Sequence, residues 1–403
     1  MNYQDFKNIG HFFETHMWRL LYGMPDKDMH IYGVTGTNGK TTTSYFLASI
    51  LGKAYGKEKV GMLTTVSFTV AGKEEFNETK MTTLPSRKVF AYLAKMKQAG
   101  VEHVVLEVTS HALDQYRLAG IRFDGAIILN IAREHLDYHK TMERYASAKE
   151  RIVSLLKKNA PLIGKQDDRI VRDMLDRAEK AGVQTTYMTA QDIEHTDTPL
   201  AGSINKENAA AAKLLARALG IAEEKIIAGI AGVSAVPGRM EMIEHAGITI
   251  IIDYAVTPDA LERLYADVRK QAGDKRIFAI LGAAGRRDRG KRPDMARAVA
   301  KYADRIVLTR EDPWTESEEQ IFKDLEAGLM GGSWERILDR REAIATLLRD
   351  AKPGDFVVVT GKGAERGMGI GKEIVLWNDR EVITELLSTV AKAMADKADR
   401  LQD

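Results

Sequence analysis

The stretch Gly33-Val-Thr-Gly-Thr-Asn-Gly-Lys40-Thr41-Thr42 lies between an apolar run and an amphipathic one. Glycines at this spacing let the backbone curl until its N–H groups face inward around a phosphate. The start of the following helix adds a favourable dipole, and Lys40 is long enough to reach β and γ phosphates. Gly36, Thr37, Asn38 and Gly39 would form the cradle, and the hydroxyl of Thr41 or of Thr42 can coordinate magnesium. Val34 stands five residues before Gly39, where the commonest phosphate loop has glycine. The strand–loop–helix context still predicts a nucleoside triphosphate site.

Three other side chains could do chemistry beside such a loop. Glu107 closes an apolar run, at the strand end where a magnesium ligand would sit. His135 offers nitrogen, which magnesium takes poorly, so by itself it reads as a core histidine. Lys149 has Tyr145 and Ile152 about one turn to either side, so its stem is covered while its ammonium snorkels to water.

The elements that must hold these residues alternate along the chain. Residues 29–34, 103–109 and 126–131 read as strands, and 40–51, 86–98 and 141–157 as helices. Residues 206–219 form an alanine-rich helix stopped by Gly220. Alternation of this kind defines an α/β protein with parallel sheets covered on both faces. Gly-Val-Ser-Ala-Val-Pro-Gly at 232–238 breaks the pattern, and a second series follows with strands at 248–252, 277–281, 305–308 and 356–360. The expected organisation is a helical leader at 1–23, a central nucleotide-binding domain at 24–235 and a second α/β domain at 236–403. The leader carries Phe6, Ile9, Phe12, Phe13, Met17, Leu20 and Leu21 as an apolar face, expected to dock on the body rather than on a membrane.

Composition narrows the classes further. The 403 residues carry 59 basic and 57 acidic side chains, a net charge of +2, which gives no bulk reason to bind nucleic acid. The absence of cysteine excludes disulfides, thiolate metal sites and a cysteine nucleophile. Neither a signal peptide nor an unbroken apolar run of the roughly 20 residues that span a bilayer is present, so a cytoplasmic location is expected.

The variant phosphate loop is followed by a series of motifs that resembles the Mur ligase superfamily, the ATP-dependent amide-forming enzymes of cell-wall peptide assembly. They are Glu107-Val-Thr-Ser-His111, Glu134-His135-Leu-Asp137-Tyr-His139, Tyr145-Ala-Ser-Ala-Lys149, Asn205-Lys-Glu-Asn208, Pro237-Gly-Arg239-Met-Glu, Asp253-Tyr-Ala-Val-Thr-Pro-Asp, Arg287-Asp-Arg-Gly-Lys-Arg-Pro293 and Gly361-Lys-Gly-Ala-Glu365. Within the superfamily the series is most similar to the MurE type, which extends a UDP-N-acetylmuramoyl dipeptide by its third amino acid. The resemblance implies a P-loop-type central ATPase domain with a mostly parallel sheet and a Rossmann-like C-terminal domain that binds the amino acid. It implies ATP and Mg²⁺ as cofactors, with Thr41, Glu107, His135 and Lys149 at the metal and Lys149 carbamylated. Lys40, Glu107, His135 and Lys149 become the catalytic set. Asn208 would meet the adenine, and Arg239 and Asp253 the nucleotide. Thr82, Thr83, Ser110 and His111 would serve the acceptor, and Arg287, Glu311, Asp312, Trp314, Gly361 and Glu365 the incoming amino acid.

Departures from that pattern carry their own expectations. Diaminopimelate-adding members have Asp-Asn-Pro-Arg where this chain has Glu311-Asp312-Pro313-Trp314. With Glu365 kept, the pocket for the distal end of the amino acid is expected to hold carboxylates and no cation, favouring lysine or ornithine over diaminopimelate. Val256 and Ala364 replace two histidines of the family. The short leader stands where the family has a UDP-recognising domain, which leaves the acceptor either a UDP-linked or a free peptide and leaves room for a partner protein. The leading expectation is a MurE-like ligase. The alternatives are a degenerate ATP-binding partner subunit and a folate or poly-amino-acid elongating ligase of the same superfamily.

Overall fold

A computed structural model describes residues 3–388 and divides the chain into two compact units, residues 1–234 and 235–403. The first is built on an eight-stranded sheet. Its strands are β1 (His30–Thr35), β2 (Val60–Leu63), β3 (Ser67–Val70), β4 (Lys73–Phe76), β5 (His103–Glu107), β6 (Gly125–Ile128), β7 (Pro161–Lys165) and β8 (Gln184–Met188). Their order is β4-β3-β2-β5-β1-β6-β7-β8. The pairings from β2 to β8 are parallel, and β3 and β4 add an antiparallel edge. β1, buried from Ile31 to Thr35, runs between β5 and β6, so the chain leaves the sheet centre in both directions. A crevice must open at the carboxyl ends of these three strands, where ligands bind in such sheets.

The helix after β1, Lys40–Tyr55, runs past residue 51 and stops where Gly56, at φ 103°, returns its N–H to Gly52 O. The expected helix at 141–157 is shorter. It runs Met142–Glu150 and tightens to a 3₁₀ turn over Arg151–Leu155. Leu155 O there accepts the N–H of Phe123, a partner outside the helix, so the chain is drawn off towards β7.

The leader helix, Tyr3–Leu21, is docked the other way round from the sequence expectation. Ile9, Phe12, Phe13, Met17, Leu20 and Leu21 are exposed, whereas Asn8 and Thr15 are buried. Directional bonds outweigh apolar burial at this contact. Asn8 Nδ2 donates to Asp114 Oδ2 (3.0 Å), Thr15 and Ser86 share a 2.6 Å hydroxyl bond, and Arg19 makes a forked pair with Asp26.

The second unit has a six-stranded sheet of β9 (Glu241–His245), β10 (Ile248–Asp253), β11 (Ile277–Leu281), β12 (Arg305–Leu308), β13 (Trp334–Arg336) and β14 (Phe356–Thr360). The order is β13-β12-β11-β14-β10-β9, parallel except for β9. A hairpin of β15 (Gly367–Ile370) and β16 (Glu373–Leu376) follows. β11 and the interior of β14 are buried on both faces and read as unbroken runs of Ile, Val, Phe, Leu and Ala, as strands covered by helices on both sides must.

Candidate active site

In the first unit the phosphate loop is fixed by the strand beside it. Beyond β6, Asn130 receives Thr37 N on its carbonyl (2.8 Å) and Asn38 N on its side-chain oxygen (2.8 Å), and its amide returns a bond to Asn38 O. Thr37 Oγ1 meets Ala132 and the hydroxyl of Tyr145 (2.9 Å). Gly39 has φ 85°, and a Cβ there would lie 2.2 Å from Asn208 Oδ1, so both the turn and the buried amide demand glycine. Asn208 therefore stands directly against the loop. Lys40 Nζ rests on Thr37 O at 2.9 Å.

Glu107, at the carboxyl end of β5, is buried and held through both oxygens. Thr41 Oγ1 and Thr65 N donate to Oε2 at 2.9 Å each, and Thr65 Oγ1 donates to Oε1 at 3.0 Å. Hydroxyl and carboxylate together are a hard-oxygen set that suits magnesium, which commonly takes one or two carboxylates and fills the remaining positions with water and phosphate. Among the described residues no three histidine, aspartate or glutamate side chains form a metal cage.

Lys149 is not the snorkelling surface lysine that its spacing indicates. It is 2% exposed, with Nζ donating to Gly36 O at 2.7 Å and lying 4.9 Å from the Tyr145 ring centre. Burial, reinforced by the Lys40 charge, pushes its amine well below the ordinary lysine range, against the opposing pull of Glu134 and Glu107. An ammonium cannot ligate magnesium, so Lys149 fits a metal only after its amine has been converted into an anion.

His135, with φ 55°, starts the turn Leu136–His139, and its side chain is about a third exposed, so it is no core histidine. His111 packs against His135 (4.7 Å), Tyr138 (4.4 Å) and His139 (5.4 Å). His139 Nε2 lies 3.0 Å from Ser110 Oγ, and burial lowers its pKa to about 4. Thr82 Oγ1 lies 2.9 Å from Thr65 Oγ1, and Thr83 Oγ1 donates to Glu107 O. The four acceptor-side residues thus share a hydrogen-bonded and aromatic network with Glu107 and His135.

In the second unit the residues gather at the carboxyl ends of β10, β11, β12 and β14. Asp253 accepts Met240 N (2.6 Å) and Ala255 N (2.7 Å), and Arg239 lies over the Tyr254 ring. Trp314 N–H donates to Gly369 O, and its ring covers Gly369, where a Cβ would meet it at 2.5 Å. Arg287 is exposed in the loop after β11. The expectation of a cation-free acidic pocket fails. Lys362 is wholly buried, with Nζ 2.7 Å from Asp312 Oδ1 and 2.5 Å from Glu365 Oε2. Two buried carboxylates and a third partly buried one need counter-charge, and Lys362 supplies it together with the buried Arg340. Glu311 remains apart. It packs against Gly282 and Gly361 with Oε2 buried and without a hydrogen-bond partner, and burial beside Asp312 raises its pKa to about 7.

Sequence reasoning missed Thr65, Asn130 and Lys362 as functional positions. Each is a polar residue just past the end of a buried strand, in Leu-Thr-Thr65, Leu-Asn130 and Thr-Gly-Lys362, and that placement is a usable signal.

The two halves of the chain match separate family models: residues 34–208 the Mur ligase middle domain, and residues 238–363 the Mur ligase glutamate ligase domain. The chain belongs to the Mur ligase family, and is an ATP-dependent acid–amino-acid ligase of the MurE type. It is 35% identical over 91% of its length to UDP-N-acetylmuramoyl-L-alanyl-D-glutamate–2,6-diaminopimelate ligase of Bacillus cereus, and spans 80% of that protein. It is also 35% identical to UDP-N-acetylmuramyl-tripeptide synthetase of a Roseiflexus species, again spanning 80% of it. A solved diaminopimelate ligase structure superposes with a TM-score of 0.58 at 30% identity, over 90% of this chain and 79% of that one. Escherichia coli FolC, at 20% identity and a TM-score of 0.69 over 95% of this chain and 93% of its own, shares the fold.

Proposed function

We propose that this ligase joins an amino acid with a basic side chain to the terminal carboxylate of a muramoyl-type peptide. The reaction balances in two steps. A carboxylate oxygen attacks the γ-phosphorus of ATP and ADP leaves, giving an acyl phosphate. The amine then attacks the acyl carbon, losing a proton, and phosphate departs with the C–O electron pair. Gly36, Thr37, Asn38, Gly39, Lys40 and Thr42 serve the triphosphate, with Asn208 beside them. Magnesium, held by Thr41 and Glu107, would neutralise charge on the phosphates. His135 and a carbamylated Lys149 complete the proposed metal set. The Lys149 reading is supported by its burial and depressed basicity, because only a neutral amine adds to CO₂, forming N–COO⁻ and releasing one proton.

The choice of amino acid rests on one observation, the bare buried oxygen of Glu311. Lys362 gives two of its three N–H groups to Asp312 and Glu365, whose two negative charges outweigh its own against a substrate carboxylate. Glu311 Oε2 offers an acceptor to a substrate ammonium. Arg287, exposed and cationic, is suited to the α-carboxylate through its forked guanidinium. Trp314 is the proposed wall for the alkyl chain.

Phosphate release from Mg-ATP with UDP-N-acetylmuramoyl-L-Ala-D-Glu and lysine, ornithine or diaminopimelate tests the proposal. Release that requires both acceptor and lysine or ornithine supports it. A preference for diaminopimelate, the substrate named for the Bacillus cereus relative, overturns the reading of Glu311.

A further inference from the structure

The leader helix Tyr3–Leu21 is amphipathic in the wrong sense for a helix that belongs only to its own fold. It turns Asn8, Thr15 and Arg19 to the body, with Trp18 packed on the core beside them, and leaves most of its other apolar side chains exposed. Phe13 is 67% exposed, Leu20 63% and Leu21 67%, with Ile9, Phe12 and Met17 beside them. The orientation is pinned at three heights, by Asn8–Asp114, Thr15–Ser86 and Arg19–Asp26, and Arg87 lies 5.1 Å from the centre of the Trp18 ring. The stripe is therefore held outward. These six side chains expose on the order of 500 Å² of apolar surface, towards the upper end of the largest patch an ordinary monomer carries, and such patches are often functional.

We infer that this stripe is the interface between two copies of the chain, packed helix to helix and antiparallel about a twofold axis beside residue 15. The sequence is self-complementary about that point. Reflection through residue 15 sets Phe13 against Met17 of the second copy, an aromatic–thioether pair made twice. It sets Ile9 against Leu21, and the bulky Leu20 against Gly10, where the surface is open to 4 Å. A lipid surface fits less well, because between residues 7 and 21 the only fixed cations are Lys7 and Arg19, and Arg19 is already paired with Asp26. Two such faces bury roughly 1,000 Å², near the lower limit for a specific complex, so the dimer should be concentration-dependent.

Sedimentation velocity of the full chain over a concentration series reads this directly. The expected result is a reversible monomer–dimer equilibrium that Phe13→Glu/Leu20→Glu shifts at least tenfold towards monomer, with ATP binding and melting temperature unchanged. The chain has no cysteine, so Phe13→Cys/Met17→Cys reports the register on its own. Oxidation should give a covalent dimer. A wild type that is monomeric at its solubility limit overturns the inference, as does a dimer indifferent to both glutamates. Stripe-dependent binding of monomers to phosphatidylcholine–phosphatidylglycerol vesicles would also overturn it.

Discussion

Lys149 Nζ donates a 2.7 Å hydrogen bond to Gly36 O, so a buried amine from the helix Met142–Glu150 is tied to the backbone of the phosphate loop. The folded state holds this amine well below its ordinary pKa, mainly through burial and then through Lys40. Between the folded value and the ordinary lysine value the unfolded chain carries a proton that the folded chain lacks. Stability therefore rises with pH across that window and is lost as pH falls towards the folded value. Lys149→Met keeps the length and removes the titration. Ligase activity is expected to fall at least 100-fold, while the melting temperature at neutral pH in CO₂-depleted buffer is equal to or above that of the wild type. Calorimetry beside a phosphate-release assay checks both halves.

If Lys149 acts as a carbamate, activity must follow dissolved CO₂. Wild-type rates should drop in degassed, bicarbonate-free buffer and recover on adding bicarbonate, whereas Lys149→Met stays inactive in both. A wild type indifferent to bicarbonate, with no ¹³C carbamate resonance under labelled CO₂, would remove the carbamate from the mechanism.

Gly39 and Asn208 give a steric prediction. Gly39→Ala places a methyl group 2.2 Å from Asn208 Oδ1 at a φ of 85°, and should abolish ATP binding measured by titration calorimetry. The double variant Gly39→Ala/Asn208→Ala removes the collision and leaves the backbone strain, of order 1 kcal/mol or more. Partial recovery of folding without recovery of ATP affinity is expected.

Much of this site could be read from residue order, and what could not has physical reasons. β11, β12 and β14 stand at their expected positions because continuous apolar runs buried on both faces admit few other readings. β4, Lys-Glu-Glu-Phe, is wholly exposed at a sheet edge and carries no apolar alternation to find. The leader's periodicity identifies a helix, but periodicity cannot say which face turns inward when Asn8, Thr15 and Arg19 have fixed polar partners. Lys362 stands in the open in Gly361-Lys-Gly-Ala-Glu365, but a charge count over Glu311, Asp312 and Glu365 leaves it out, because only the fold shows that its ammonium turns in among them.

Glu311, with its pKa raised to about 7, is expected to make amino-acid binding depend on pH. Its carboxyl is mostly neutral below that value and mostly charged above it. If it receives the substrate ammonium, the KM for lysine should fall several-fold between pH 6 and pH 8 while the KM for ATP stays flat. Glu311→Gln should show a high KM for lysine with no such slope. Parallel changes in both KM values would point to a structural effect instead.

His103 supplies a stability prediction away from the chemistry. Its Nδ1 lies 3.2 Å from Tyr32 OH, and its ring stacks on Tyr55 at 4.0 Å. Burial, and next the neighbouring His30, lower its pKa to about 4, and His139 in the acceptor-side network is lowered to about 4 as well. Both values lie below the ordinary 6.5, so between pH 6.5 and 4 the unfolded chain takes up protons that the folded chain refuses. Stability present above pH 6.5 is thus lost as pH falls through this window, the sign opposite to that of a histidine stabilised by a carboxylate. The melting temperature of the wild type should drop by several degrees between pH 7 and pH 4.5. His103→Phe keeps a ring against Tyr55 and cannot titrate, so its melting temperature should be lower at pH 7, where Tyr32 loses its partner, but fall less steeply with acid. Equal acid slopes for wild type and variant would mean that His103 is not among the groups that set the acid limit of this fold.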